Sequence, residues 1–535
     1  MKEKNKKNLI VVLLIFFFLI INNSNYINAF IKDYKDPQII YTGAPLIINY
    51  TDYFVYLSNI EQGKDNKLFI KNLYNHESEK NLLFSPHWYL VGQFSNLTNI
   101  NTVFSYHIFR ILLSILFILT LWLWLKKIFK KYKEQILSLL FILFSTGIGQ
   151  FYLYIFNKIN DPTDIGPNNV WIPESITFLT LNQNPLFILS QILILLVFFY
   201  FIKALEEKKK KFIYLASFLA FILISIHPYD LFIITPVLII FSTLKYIRYK
   251  EMFIIKSLAL YSLAVFIPSL YYLTILKIDK PLAQWAQQNI TLSPNISAYL
   301  LGFGGLFILS SLTVYCLIKK KKILNYTLNN NYLLLLTIWG VISWFLVYLP
   351  IDFNRRLSNG WHVPLAILSF LFLLFLFKEY KDKIIKNGLI PVFLFILFFD
   401  TLLVTAKNII ITNSDVFYIK SEEMSIYKKI KETVKDDEVV LARWRNGLFL
   451  PAFTGKKTYL GHGMQTWNYI EKDQEIINLW ASNEDISSWL EDKKIKYIFA
   501  DKKSYSINNL RWLANENYII PIINNDDFIF YEFRK

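Results

Sequence analysis

The sequence predicts an all-α polytopic membrane bundle of about eleven transmembrane helices, with a small extracytoplasmic α/β domain at its C-terminal end. Three observations carry that prediction. Apolar runs recur along the chain, each long enough to cross a hydrocarbon core of about 30 Å as a helix. Lysine blocks alternate with polar loops between those runs. Beyond residue 420 the pattern changes to short, alternating helical and strand-like segments.

Of the 535 residues, 54% are hydrophobic and 18% aromatic, and the mean hydropathy is positive. The net charge of +17 is not a nucleic-acid footprint, because the lysines gather in short blocks between apolar runs, where a topology signal belongs. The one cysteine, Cys316, lies inside an apolar run, so the chain forms no internal disulfide and no cysteine-based metal site is expected.

The runs fall near 9–28, 104–125, 135–156, 184–205, 212–226, 229–246, 252–276, 298–318, 331–350, 361–378 and 388–406. Lys2, Lys4, Lys6 and Lys7 precede the first. "KKIFKKYK" (126–133), "KALEEKKKK" (203–211), "KYIRYK" (245–250), "KKKK" (319–322) and "KEYKDK" (378–383) then follow every second run. Positive loops mark the cytoplasmic side, so the expected localisation is the plasma membrane, multi-pass, with the N-terminus cytoplasmic and the C-terminal domain outside. The first run, followed by "YINAF", reads either as a cleaved signal or as an uncleaved signal-anchor, and both give the same orientation.

Two expected domains follow. Residues 1–410 form the transmembrane domain with a long first outer loop (29–103), and 411–535 form the α/β domain. Within the loop, 52–62 reads as a helix closed by Gly63, with Asp52, Tyr56 and Asn59 on one face. Segment 81–98 reads as an amphipathic helix lying at the interface. The outer domain reads as a helix over 421–437, a strand over 438–444, helices around 483–491 and 506–516, and strands over 496–501 and 527–533.

The expected outer face carries the candidate chemistry. Asp52 is either a general base or a helix N-cap. Glu174, in "DIGPNNVWIPESITF", is either functional or the cap of a helix near 175–181. His227 and Asp230 in "HPYD" stand between two apolar runs, where ionisable groups line pathways or close tight turns. Arg355 and Arg356, next to His362, break the positive-inside pattern and suit a phosphate at headgroup depth, or an ordinary lipid-headgroup contact. Trp285, Gln287, Gln288 and Asn289 in "QWAQQN" offer a ring platform and amides for a sugar, or an aromatic belt at the interface with a polar loop. His462 stands in "GHGMQTWN", a compact turn without a second ligand at metal spacing, which either reaches back over a membrane cavity or packs the domain.

Together these pieces resemble the GT-C superfamily of polytopic glycosyltransferases, which use lipid-phosphate-linked sugars. The motifs are "TDYFVYLSNIEQG", "VWIPESITF", "HPYD", "QWAQQNITLSP", "FNRRLSNGWHVPLA" and "PAFTGKKTYLGHGMQTWNY", spread over most of the chain. The resemblance implies inverting transfer from a polyprenyl-phosphate sugar donor to a glycan, lipid or protein acceptor at the outer face of the bilayer, with no role for nucleic acid. It implies Asp52 as catalytic base and Arg355 and Arg356 as the basic residues near the lipid phosphate. Glu174, His227, Asp230, Trp285, Gln287 and His462 become substrate-binding candidates. A divalent cation is the one cofactor left open. A transporter or flippase of a lipid-linked glycan, which would favour repeats and broken helices, and a non-catalytic envelope assembly protein are the alternatives.

Overall fold

In the computed structural model the described residues are 2–45, 50–77, 80–156, 166–319, 326–327, 329–379, 388–411, 414–481, 486–502 and 518–534. They form two compact units. One comprises Met1–Asn28, Ile108–Tyr272 and Thr291–Thr412; the other comprises Ala29–His107, Leu273–Ile290 and Asn413–Lys535.

The first unit is a helical bundle, and each of the apolar runs is helical within it. Against the eleven spans expected, six helices among the described residues are long and apolar enough to cross a membrane, and the number reaches nine if each of three bent pairs counts once. The pairs are Asn8–Asn22 with Ser24–Lys35, Tyr132–Phe144 with Gly149–Ile155, and Ile296–Phe303 with Gly305–Ile318, bent by 60°, 41° and 88°. Lys210–Ile226 and Asn331–Leu346 have 17 and 16 residues. At about 1.5 Å per residue both fall short of a 30 Å core. The chain is nonetheless a multi-pass membrane protein by its long apolar helices.

Polar residues at the bends explain why the bundle can hold broken helices. Gly147 and Ile148 donate backbone hydrogen bonds to Gly302 and Leu301 carbonyls at 2.9 and 3.0 Å, so two helix breaks satisfy one another. The buried Asp400 carboxylate takes the Phe151 N–H at 2.7 Å, the Gln150 N–H at 3.3 Å and the Asn169 amide at 2.6 Å. It thereby caps Gly149–Ile155 from another helix, where the half-positive end of a helix favours an anion.

At the first bend, Asn22 donates to the Phe178 carbonyl, Tyr26 to the Asn182 carbonyl, and the buried Arg110 guanidinium to Leu181 O (3.0 Å) and Asn23 Oδ1 (2.5 Å). Arg110 also lies over the Tyr26 ring at 4.3 Å. The first apolar segment is thus hydrogen-bonded into the bundle on both sides of its bend.

The second unit carries a five-stranded sheet in the order Lys457–Thr458, Val439–Ala442, Ile495–Asp501, Phe528–Phe533, Ile519–Asn524. The first three strands run parallel and the last two pair antiparallel, so the expected α/β character is present. The helix Ser421–Thr433 ends four residues earlier than expected, and the helix expected over 483–491 is described from Ser487 to Asp492. The helix expected near 506–516 lies outside the described residues. Helices Trp444–Thr454 and Tyr469–Ala481 and strand Ile519–Asn524 were not anticipated.

Two segments of the first loop pair with strands in this unit: Ile39–Tyr41 runs antiparallel to Tyr418–Lys420, and Phe69–Ile70 to Leu83–Phe84. The helix expected over 52–62 spans Tyr50–Lys64, and Gly63 does not close it. Gly63 instead meets Gly92 of helix Pro86–Thr98, where a Cβ on either residue would strike the other helix's backbone.

Candidate active site

The helix Tyr50–Lys64 buries Tyr53, Phe54, Leu57, Ile60 and Glu61 and leaves Asp52, Tyr56 and Asn59 less covered, as the expected face requires. Phe54 packs on Phe449 of Trp444–Thr454 with ring centroids 4.6 Å apart, and Tyr56 stacks on Trp88 at 5.1 Å. Glu61, a nearby acid, is engaged with Lys431 at 2.5 Å and serves packing. Asp52 is the third residue of the helix, not the residue before it. An N-cap flanks the first helical turn, so Asp52 does not occupy the cap position, although its charge still favours the helix dipole.

The Asp52 side chain, 53% exposed, meets His462, 410 residues away in sequence, with Oδ1 and Nε2 3.2 Å apart. His462 is 3% exposed. Its Nδ1 accepts the backbone N–H groups of Met464 (3.1 Å) and Gln465 (3.2 Å). The turn that presents it is braced at several points. Gln465 and Thr466 N–H groups bond the His462 carbonyl, Thr466 Oγ1 donates to Tyr74 O, and Asn72 donates to Gln465 O. Gln288 donates to the Met464 and Thr466 carbonyls at 2.9 and 3.0 Å. Of the two expected glutamines, Gln288 therefore makes the contacts to this turn. Gln287 is exposed on helix Lys280–Gln288, and Trp285 is half-buried there.

A second cluster forms within the bundle unit. Glu174 sits in the turn Pro173–Ser175 with its side chain 2% exposed, and Ile176, not Glu174, precedes helix Thr177–Gln183. Its carboxylate lies 3.5 Å from Arg355 Nε, and the Arg355 guanidinium lies 4.9 Å from the Trp171 ring centroid. Arg356 lies over Tyr229 at 5.2 Å. The arginine loop is closed by Gly360, whose φ of +73° and contact with the Trp339 ring leave little place for a side chain. Gly360 N–H donates to Glu174 O at 2.9 Å.

His227 Nδ1 and Asp230 Oδ2 are 2.9 Å apart, and Asp230 Oδ1 accepts the Asn359 amide at 2.9 Å. Gln191 donates to Asn359 Oδ1 (3.0 Å) and Glu174 O (3.1 Å). The "HPYD" turn, the Glu174 turn and the arginine loop are therefore one buried hydrogen-bonded network. Its stakes are high, since unpaired polar groups there would be costly. His362 is buried and bonded to Thr177 Oγ1 at 2.9 Å.

The sequence reading missed Gln191, Asn359, Arg110 and Asp400. A signal existed for the last two, because each is a lone charge inside an apolar run. Gln191 and Asn359 carry no such mark.

No group of three or more His, Cys, Asp or Glu side chains among the described residues is placed to hold a metal ion.

No protein-family model matches the chain, and no curated protein matches it. Solved structures do. The Archaeoglobus fulgidus oligosaccharyltransferase, tethered with an acceptor peptide containing the NVT sequon, covers 93% of this chain and 70% of its own, with a TM-score of 0.56 at 12% identity. AglB from the same archaeon, in complex with an inhibitory peptide and dolichol-phosphate, covers 98% and 76%, with a TM-score of 0.53 at 12% identity. ArnT from Cupriavidus metallidurans, bound to undecaprenyl phosphate, covers 98% and 97%, with a TM-score of 0.53 at 9% identity. These are GT-C glycosyltransferases, so the resemblance drawn from the motifs is matched at the level of fold.

Proposed function

We propose that this chain, which has a GT-C fold, is a membrane glycosyltransferase that moves a sugar from a polyprenyl-phosphate-linked donor to an acceptor hydroxyl at the outer face of the membrane. The observation that carries the reading is likeness along nearly the whole chain to two proteins whose structures hold a polyprenyl phosphate: dolichol-phosphate in AglB and undecaprenyl phosphate in ArnT. The lysine blocks support the orientation.

In the proposed reaction Asp52 takes the proton of the acceptor hydroxyl. The oxygen attacks the anomeric carbon from the face opposite the phosphate, the C1–O bond to phosphate breaks, and polyprenyl phosphate leaves with the bonding pair. The configuration inverts. The leaving group is already a stabilised anion, so the protein has to position the hydroxyl, supply a base and meet the phosphate charge. Arg355 and Arg356 take the last role; planar guanidiniums suit phosphate oxygens. Glu174 and Trp171 hold the Arg355 side chain. The glycan, lipid or protein nature of the acceptor belongs to the same proposal, and no step is routed through a metal.

Bent helices favour transport as a second reading. The breaks near Gly147 and Gly302 are bonded to each other, however, and Asp400 occupies the half-helix end that a transported anion would use.

The test is purified full-length protein in nanodiscs, offered undecaprenyl-phosphate-linked hexoses and pentoses with extracted envelope material as acceptor. Release of undecaprenyl phosphate coupled to sugar incorporation is expected. Substituting both Arg355 and Arg356 by Ala weakens undecaprenyl phosphate binding by about tenfold or more. Incorporation from nucleotide sugars alone, with every lipid donor inert, would overturn the reading.

A further inference from the structure

We infer that His462 acts through Asp52, as a positioning residue that holds the carboxylate by an Nε2–H donor, and not as a sugar ligand. The inference rests on Asp52 being the base of the proposed transfer.

The tautomer follows from the backbone. An amide N–H can only donate, and two of them, from Met464 and Gln465, face Nδ1 at 3.1 and 3.2 Å. Nδ1 must therefore present its lone pair, and the ring proton sits on Nε2. Nε2 is the atom 3.2 Å from Asp52 Oδ1. The contact is a hydrogen bond from Nε2–H to the carboxylate.

The ring has little freedom to leave this arrangement. It packs edge-on to Tyr74 with centroids 6.0 Å apart, and Asn72, Tyr74 and Gln288 secure the turn on both sides. Asp52 is 53% exposed, so the buried ring is the more enclosed member of the pair. A fixed donor on Oδ1 sets the orientation of the carboxylate from which the proton would be taken up. The C-terminal region would thus contribute to the reaction by aiming a group carried on the first loop.

Two near-isosteres separate the two jobs of the ring. An Asn carbonyl reaches the place of Nδ1 and keeps an acceptor for the turn, but has no donor for Asp52. A Gln amide nitrogen reaches the place of Nε2 and keeps that donor. In full-length protein in nanodiscs, with the undecaprenyl-phosphate-linked donor that supports turnover, His462→Asn is expected to lower kcat about tenfold with little change in KM, while His462→Gln retains more activity. Equal losses in the two variants would reduce His462 to a structural role and overturn the inference.

A second measurement needs no turnover. Ring ¹⁵N spectra of the labelled full chain should show His462 protonated at Nε2, with that signal moved by Asp52→Ala and the Nδ1 signal left in place. A proton on Nδ1, or an Nε2–H signal indifferent to Asp52→Ala, overturns the pairing. If no lipid donor supports turnover, the glycosyltransfer reading fails by itself, and the spectra alone decide the pair.

Discussion

At the residue scale the chemistry rests on Asp52 and His462, a half-exposed carboxylate and a buried imidazole with Oδ1 and Nε2 3.2 Å apart. Each was legible as a candidate: one is an acid on an amphipathic face, the other a histidine in a Gly-flanked turn. Their pairing was not, because residues 410 apart in sequence share no local pattern that reports contact. His76, in the same compact unit, was not among the candidates. Its burial and the neighbouring Lys472, Lys493 and Lys457 push its imidazole down to about 3 from 6.5. It is therefore neutral at pH 7, accepting from Lys472 Nζ at 3.3 Å, and its 3.6 Å approach to Glu77 is no ion pair. The unfolded chain takes up a proton near pH 6.5 that the folded chain refuses until about pH 3. Its contribution to stability is full above pH 6.5 and declines as pH falls toward 3, by about 1.4 kcal/mol per pH unit at most. Hydrogen exchange at strand Ile495–Asp501, corrected for intrinsic rates, should show that strand opening more readily at pH 5 than at pH 7. His76→Gln should flatten the dependence; an unchanged slope would mean that His76 is protonated in the folded chain.

Elements were the most legible level where apolar length decides them, and the least legible where geometry does. A continuous apolar run reads as one helix whether it is straight or bent, so the breaks at Asn23, Gly147 and Gly304 were invisible. Their cause is close packing of backbone and amide groups. A Cβ at Gly302 would collide with Asn168 Oδ1, and one at Gly149 with Asn169 Oδ1. Gly302→Ala should therefore destabilise the bundle by about 1–3 kcal/mol, read as a lower melting temperature of the detergent-solubilised full chain. Asn168→Ala in the same chain should recover part of the loss by removing the obstacle. A Gly302→Ala chain that melts with the wild type would show that the break has room to spare. In the second unit, strand alternation placed Ile495–Asp501 and Phe528–Phe533 closely. Strand Ile519–Asn524 was missed because its "IIPIIN" sequence has no alternation and contains a proline, which edge strands tolerate.

At the scale of the whole molecule, apolar length and lysine placement already pointed to a polytopic helical protein with a sheet-bearing C-terminal region, and the GT-C likeness of its motifs is matched by the fold. The long first loop and the C-terminal region share one compact unit, and in it the candidate base meets its donor. The buried network of Glu174, Asp230, Asn359 and Gln191 gives the bundle unit a second polar centre beside Arg355 and Arg356. The most direct test of this account is Asp52→Asn, which keeps size and an oxygen for His462 while removing the base. In nanodiscs with an undecaprenyl-phosphate-linked sugar, the variant should bind the lipid donor as the wild type does and lose transfer by about a hundredfold or more. Transfer at the wild-type rate by Asp52→Asn would contradict the assignment of Asp52 as the base.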